Sequence, residues 1–297
     1  MKNKSLTIII VLVIIAILGL AIFWSYNKNQ KEYKYNITTT FYPQYIALMN
    51  IIGDEVSDIK YDILNDKLTG CLHHYTITTA DMKKLESSDV IVINGAGMEE
   101  TMEEYIEGLN KKTIDASADI ETVMDEDEEN PHTFLGIDNY IVQVENITEE
   151  LVKLDPENKD VYEKNSNKYI QKLEELKEYA MEKLSNLKEN KIITLHTSLD
   201  YFAKENNLDV IATVEGHEEE EPSAKQIKEL VDLIKENNIK YIFNEDNKES
   251  KVLQSVVSDT GVKINNLNTI TGGKLQKDEY ITQMKQNIDV IAGALNE

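Results

Sequence analysis

The chain has 297 residues, 41% of them apolar and 29% charged, with a formal net charge of −23 and a single cysteine. That length holds two ordinary domains and a large core, and the acidic balance excludes nucleic acid as a general partner, because phosphate backbones recruit Lys/Arg-rich faces. One cysteine excludes an internal disulfide, so thiol chemistry does not report the compartment.

Lys2 and Lys4 precede an uncharged, apolar run from Leu6 to Trp24, 19 residues long. A run of that length can cross a hydrocarbon core as a helix, and Trp24 and Tyr26 suit the membrane interface. It is long for a signal-peptide core, and no small-x-small cleavage site follows it. Nor does a cysteine follow it to carry a lipid. The sequence therefore predicts an uncleaved signal anchor over residues 1–27, with the N-terminus inside and the rest of the chain outside. A polar linker, 28–34, comes next.

Residues 35–154 read as an N-terminal α/β lobe. "KYNITTT" is strand-like, and the following stretch carries apolar residues at Tyr45, Ile46, Leu48, Met49 and Ile52, which suits a helix. "DIKYDIL" reads as a strand and "TADMKKLESS" as a short helix with Thr79 or Asp81 as cap. "DVIVING" is a buried-type strand ending in a Gly95-Ala96-Gly97 turn. Alternating strand and helix signals of this kind predict a mainly parallel sheet. The turn is not a dinucleotide fingerprint, because no third glycine opens the next helix.

Residues 155–189 differ. Asp155 reads as a cap with Pro156 at the first helical position. Apolar residues then recur at 162, 169, 173, 176, 180, 184 and 187. A helix from Pro156 to Leu187 would span roughly 48 Å, and it separates two α/β regions as a rigid strut. Residues 190–297 form the second lobe, with strand-like runs "KIITLH", "DVIATV", "IKYIFNE" and "VKINNLN". Between the second and third lies a helix with a Ser223/Gln226 capping box. The predicted fold class is thus α/β: two Rossmann-like lobes joined by one long helix, preceded by a transmembrane anchor.

The chain has only five histidines. His196 ends the strand "KIITLH", His73 follows "DIKYDIL" through a short loop, and His132 precedes a helix that begins near Asp138. Ligands of open α/β sheets bind at the carboxyl ends of strands, so these three histidines can converge in one cleft between the lobes. Neutral imidazoles suit zinc and other late first-row metals. The acidic tracts "DEDEENPH" and "EGHEEEEP" read as solvated loops; the alternative is weak capture of cations beside the cleft, with His217 as an auxiliary ligand.

Four segments carry a resemblance to a known family. They are "ITTTFYPQYIALMNIIGD", "CLHHYTITTADMKKLESSDVIVINGAGME", "NPHTFL" and "TLHTSLDYFAKENNL". In order, and with a long helix between the second and third histidines, they resemble the extracytoplasmic zinc/manganese-binding proteins of ABC importers. The likeness covers about residues 35–290. It implies two α/β lobes, one linking helix and a metal ion held between the lobes. Carried over by position, it implies the ligands His73, His132 and His196. His73 is chosen over His74 because it sits two positions before Tyr75, and Cys71 is a packing neighbour rather than a ligand.

Family members favouring manganese usually place a carboxylate at the third ligand. His196 there implies Zn²⁺ rather than Mn²⁺. The fourth ligand falls at Asn268, with Glu245 or a water as alternatives. The resemblance implies a receptor, not an enzyme: a monomer, tethered to the membrane by its N-terminal helix, that delivers zinc to a permease driven by an ATPase. Two rivals are a surface adhesin of the same family and a zinc hydrolase using the open fourth position with Glu245 as base.

Overall fold

The computed structural model describes residues 33–64, 75–125, 128–214, 222–245 and 250–297, together with residues 12 and 18. Apart from Leu12 and Leu18, the apolar run proposed as an anchor lies outside the described residues, as do Cys71, His73, His74 and His217. Among the described residues no helix is long and apolar enough to cross a membrane.

Each lobe is built on a four-stranded parallel sheet. The first contains β1 (Tyr35–Thr39), β2 (Ile59–Ile63), β3 (Val90–Ile93) and β4 (Lys112–Asp115) in the order β2-β1-β3-β4. Helix α1 (Tyr42–Ile52) connects β1 to β2, and α2 (Thr79–Glu86) precedes β3. The cap of α2 is Thr78, one residue earlier than expected, because its hydroxyl accepts the Asp81 N–H while Asp81 accepts the Thr78 N–H at 2.9 Å. A short α3 (Glu103–Gly108) leads into β4, and a two-residue hairpin, β5 (Met124–Asp125) with β6 (Glu128–Glu129), follows.

Helix α4 (Ile137–Leu154) begins close to the expected position and turns into α5 (Lys159–Leu184). The long helix is shorter than the sequence predicts: 26 residues, roughly 39 Å at about 1.5 Å per residue. Pro156–Asn158 forms a 3₁₀ turn instead of a first helical turn. The physical reason is Asp155, whose carboxylate does not cap the turn. It binds Lys34 Nζ at 2.5 Å, Asn158 Nδ2 at 2.7 Å and the Tyr162 hydroxyl at 2.7 Å. The predicted apolar stripe is the buried one: Tyr162, Tyr169, Leu173, Leu176, Ala180 and Leu184 all face the core. The helix is not a bare strut, since α1, α4 and the C-terminal helix all pack against it.

The second sheet contains β7 (Lys191–Thr194), β8 (Asp209–Thr213), β9 (Tyr241–Glu245) and β10 (Lys263–Leu267) in the order β8-β7-β9-β10, again all parallel. Both sheets therefore place their first strand second in line, which puts a topological switch point between β1 and β3 and between β7 and β9. Helices α6 (Asp200–Glu205), α7 (Ala224–Glu236) and α8 (Lys251–Thr260) connect these strands. The Ser223/Gln226 capping box is present at α7. Helix α9 (Glu279–Leu295) closes the chain.

Successive strand residues face opposite sides of a sheet. Accordingly Ile192, Tyr241 and Phe243 join the main core, while Ile193 and Ile242 face a smaller core under α7 and α8. The main core is continuous from Ile37 in β1 through α5 to Leu295 in α9. Polar contacts cross it too: the Tyr42 hydroxyl donates to the Lys274 carbonyl at 2.6 Å, and the Tyr280 hydroxyl to the Phe134 carbonyl at 2.8 Å.

Candidate metal centre

His196 lies two residues past β7, at the β7/β9 switch point, and is 2% exposed. His132 lies in the loop between β6 and a 3₁₀ turn, Thr133–Leu135, and is fully buried. The two rings meet edge to face, centroids 5.2 Å apart and planes 88° apart. Two imidazole nitrogens on one tetrahedral zinc sit about 3.3 Å apart, from Zn–N bonds of about 2.0–2.1 Å, and rings at this separation fit such an ion. The structure thus brings together two of the three histidines the sequence singles out. The third, His73, is outside the described residues. Among the described residues no group of three or more His, Cys, Asp or Glu side chains could hold a metal ion.

The loop that carries His132 is held from below by side chains the sequence reading passed over. Asn130 Oδ1 accepts both the His132 backbone N–H at 3.0 Å and a bond from His132 Nδ1 at 2.8 Å. Asn130 Nδ2 donates to the Thr197 carbonyl at 2.8 Å, in the loop of His196. Asn94 Nδ2 donates to the Pro131 carbonyl at 2.9 Å, and Gln143 Nε2 reaches Thr133 Oγ1 at 3.0 Å. Asn94 and Gln143 are themselves linked, Nε2 to Oδ1, at 3.1 Å, and both are fully buried.

Glu99 accepts the Thr40 hydroxyl at 2.6 Å, the Asn94 N–H at 2.8 Å and the Gly95 N–H at 3.0 Å. It therefore clasps the carboxyl ends of β1 and β3 at the first switch point. Burial pushes its carboxyl up to about 7. Gly95 is required: its φ is +79°, and a Cβ would run into the Asp115 carboxylate.

The two candidates for a fourth ligand differ in setting. Glu245 ends β9, is 8% exposed and accepts the Ser198 hydroxyl, two residues from His196, at 2.5 Å. Asn268 follows β10 and faces α9: its side-chain amide donates to Gln286 Oε1 at 3.2 Å, and its backbone N–H donates to Asn287 Oδ1 at 2.8 Å. Glu245 is the one tied to the histidine loop.

The ZnuA family model, "Zinc-uptake complex component A periplasmic", matches residues 37–294. The chain belongs to this family. Its members are metal-binding components of ABC importers and not enzymes. The chain is 31% identical over 288 residues to the high-affinity zinc uptake system protein ZnuA of Bacillus subtilis, covering 88% of each. Its fold superposes on FpvC of Pseudomonas aeruginosa, solved with Mn²⁺, with a TM-score of 0.79 at 31% identity, covering 88% of this chain and 98% of that one. It also matches the laminin-binding protein Lmb of Streptococcus agalactiae, described as having adhesin and metal-transporting activity. There the TM-score is 0.78 at 25% identity, covering 88% and 99%.

Proposed function

We propose that this ZnuA-family chain captures Zn²⁺ outside the cytoplasmic membrane and delivers it to a permease driven by an ATPase. The observation that carries this reading is the buried His132–His196 pair, edge to face at 5.2 Å, at the junction of two α/β lobes. His73 completes the set, and Glu245 is the preferred fourth donor, with Asn268 or a water as the alternatives. An all-imidazole trio favours zinc over manganese, because imidazole is the softer ligand. The ion is cargo, so its exchange matters as much as its affinity.

In this reading the lobes are residues 35–154 and 190–297, with 155–189 between them and the ion in their cleft. The continuous core and α9, which packs against α5, restrict closure to small motions. The apolar run from Leu6 to Trp24 would tether the chain, since the only cysteine, Cys71, is far from the N-terminus. The chain acts as a monomer alongside its permease.

Zinc and manganese competition by calorimetry on the full chain tests the reading. The wild type should prefer zinc, and His73→Ala, His132→Ala and His196→Ala should each weaken it about 100-fold or more, while His74→Ala changes little. Equal losses in His74→Ala and His132→Ala would refute the ligand set. Growth rescue in low zinc that needs all three histidines separates transport from adhesion.

A further inference from the structure

Asn130 contacts both histidine loops at once. Its Oδ1 faces the His132 backbone N–H and His132 Nδ1. Its Nδ2 faces the Thr197 carbonyl at 2.8 Å and Asp200 Oδ2 at 3.3 Å. Its own carbonyl accepts the Tyr201 hydroxyl at 2.7 Å, and that hydroxyl accepts the Val123 N–H at 3.0 Å. The residue is fully buried.

We propose that Asn130 is a positioning residue for metal capture: it fixes His132 in the tautomer whose Nε2 bears the lone pair, and it ties His132 to the His196 loop. The inference rests on the reading of both histidines as zinc ligands. The orientation of the Asn130 amide is determined by its neighbours. A backbone N–H can only donate and a carbonyl can only accept. The atom facing the His132 N–H is therefore the amide oxygen, and the atom facing the Thr197 carbonyl is the nitrogen. An amide oxygen cannot donate, so His132 Nδ1 must carry the proton. The lone pair is then on Nε2, the nitrogen that would face a metal, and ligation needs no tautomer change.

The same amide couples the two loops. Rotation of Asn130 to release Thr197 would also withdraw the acceptor from His132. The geometry of one ligand is thus conditional on the position of the other, and the Tyr201 hydroxyl fixes the Asn130 backbone from which the amide projects.

The test uses the metal-free full chain with ¹⁵N-labelled histidine. Long-range ¹H–¹⁵N spectra report the protonated ring nitrogen, and His132 is assigned by comparison with His132→Gln. Zinc affinity is measured by chelator competition. The wild type should show His132 protonated on Nδ1. Asn130→Ala should give mixed tautomers and a zinc affinity lower by about 10- to 100-fold. Asn130→Asp keeps an acceptor for Nδ1–H but sets a carboxylate oxygen against the Thr197 carbonyl and Asp200, so the tautomer should persist while zinc affinity falls. Protonation on Nε2 in the wild type overturns the proposal, as does an Asn130→Ala variant with an unchanged tautomer and affinity within twofold. If Asn130→Ala fails to fold, the wild-type tautomer and the Asp variant decide. A wild type that shows the expected tautomers yet binds no zinc refutes the metal reading and leaves the positioning of His132 standing.

Discussion

Glu205, on α6 of the second lobe, caps α4 of the first: its carboxylate accepts the Ile137 N–H at 2.7 Å and the Asp138 N–H at 3.1 Å. The N-cap position of α4 is Gly136, which has no side chain to offer, so the cap comes from 68 residues away along the chain. Each helix follows a histidine loop, α4 after His132 and α6 after His196. The contact therefore ties together the two helices that follow the His132 and His196 loops.

The titration of Glu205 makes this brace pH-dependent. Burial, and then the like charge of Asp138, raise its carboxyl from 4.5 to about 7; Asp138 is itself paired with Lys177 at 2.6 Å. Between those two values the folded protein keeps a proton that the unfolded chain has released. The contribution is full below about 4.5 and is lost as pH rises through about 7. At about 1.4 kcal/mol per pKa unit the swing is on the order of 3 kcal/mol. Glu205→Gln removes it while retaining one acceptor. The Tm difference between wild type and Glu205→Gln should therefore favour the wild type at pH 5 and shrink or reverse by pH 8. Parallel Tm curves across that range would show that Glu205 does not titrate there.

Gly136 is small because Glu205 is close. Its φ of −73° suits any residue, so conformational freedom is not the reason. A Cβ there would lie 2.5 Å from Glu205 Oε1 and 3.1 Å from Tyr201 Cβ. Gly136→Ala must push the carboxylate off the helix end, at a cost of about 1–3 kcal/mol. Chemical denaturation measures this. Double-mutant analysis with Glu205→Gln should give a strongly non-additive pair, and additive losses would mean the two residues act separately.

The fourth-ligand question has a direct test in the settings of the two candidates. Glu245 is buried beside Ser198 in the His196 loop, whereas Asn268 is bonded to Gln286 and Asn287 on α9. A carboxylate also adds a charge that an amide lacks. Glu245→Gln should lower zinc affinity about tenfold or more, and Asn268→Ala should leave it within a few-fold. Titrations of the two variants that rank them the other way round would place Asn268 on the metal.

The strands were legible in the sequence because runs such as "VIVI" and "KIIT" are apolar and β-branched, as parallel strands buried on both faces require. The stripe of α5 was legible from its period. Strand β4, "KTID", was not, because four residues with charged ends carry no pattern and its existence depends on pairing with β3. His196 could be picked out by its place at a strand end, and His132 by its place just before a helix. Asn130, Gln143 and Glu205 could not, because a polar side chain in a sequence reads as solvated until a partner from another element covers it. Asn94 and Glu99 lie in the segment ending "INGAGME" that carries the family resemblance, but their task of clasping strand ends and the Pro131 carbonyl appears only in three dimensions.

Zinc capture should itself depend on pH, in the direction opposite to the fold. A metal binds imidazole only when the ligating nitrogen is unprotonated, and a free imidazole protonates near about 6.5, so histidine ligands would make protons competitors of zinc. As pH falls below about 6.5 the apparent affinity should drop, approaching a thousandfold per unit if all three ligands protonate. Over that range Glu205 and Glu99 take up protons that favour the folded state. Loss of zinc near pH 5.5 should therefore occur in a protein that is still folded. Chelator competition between pH 7.5 and 5, with circular dichroism on the same samples, separates the two effects. An affinity that is flat over this range would mean the ion is not held by histidines, and a simultaneous loss of helical signal would mean that release is unfolding.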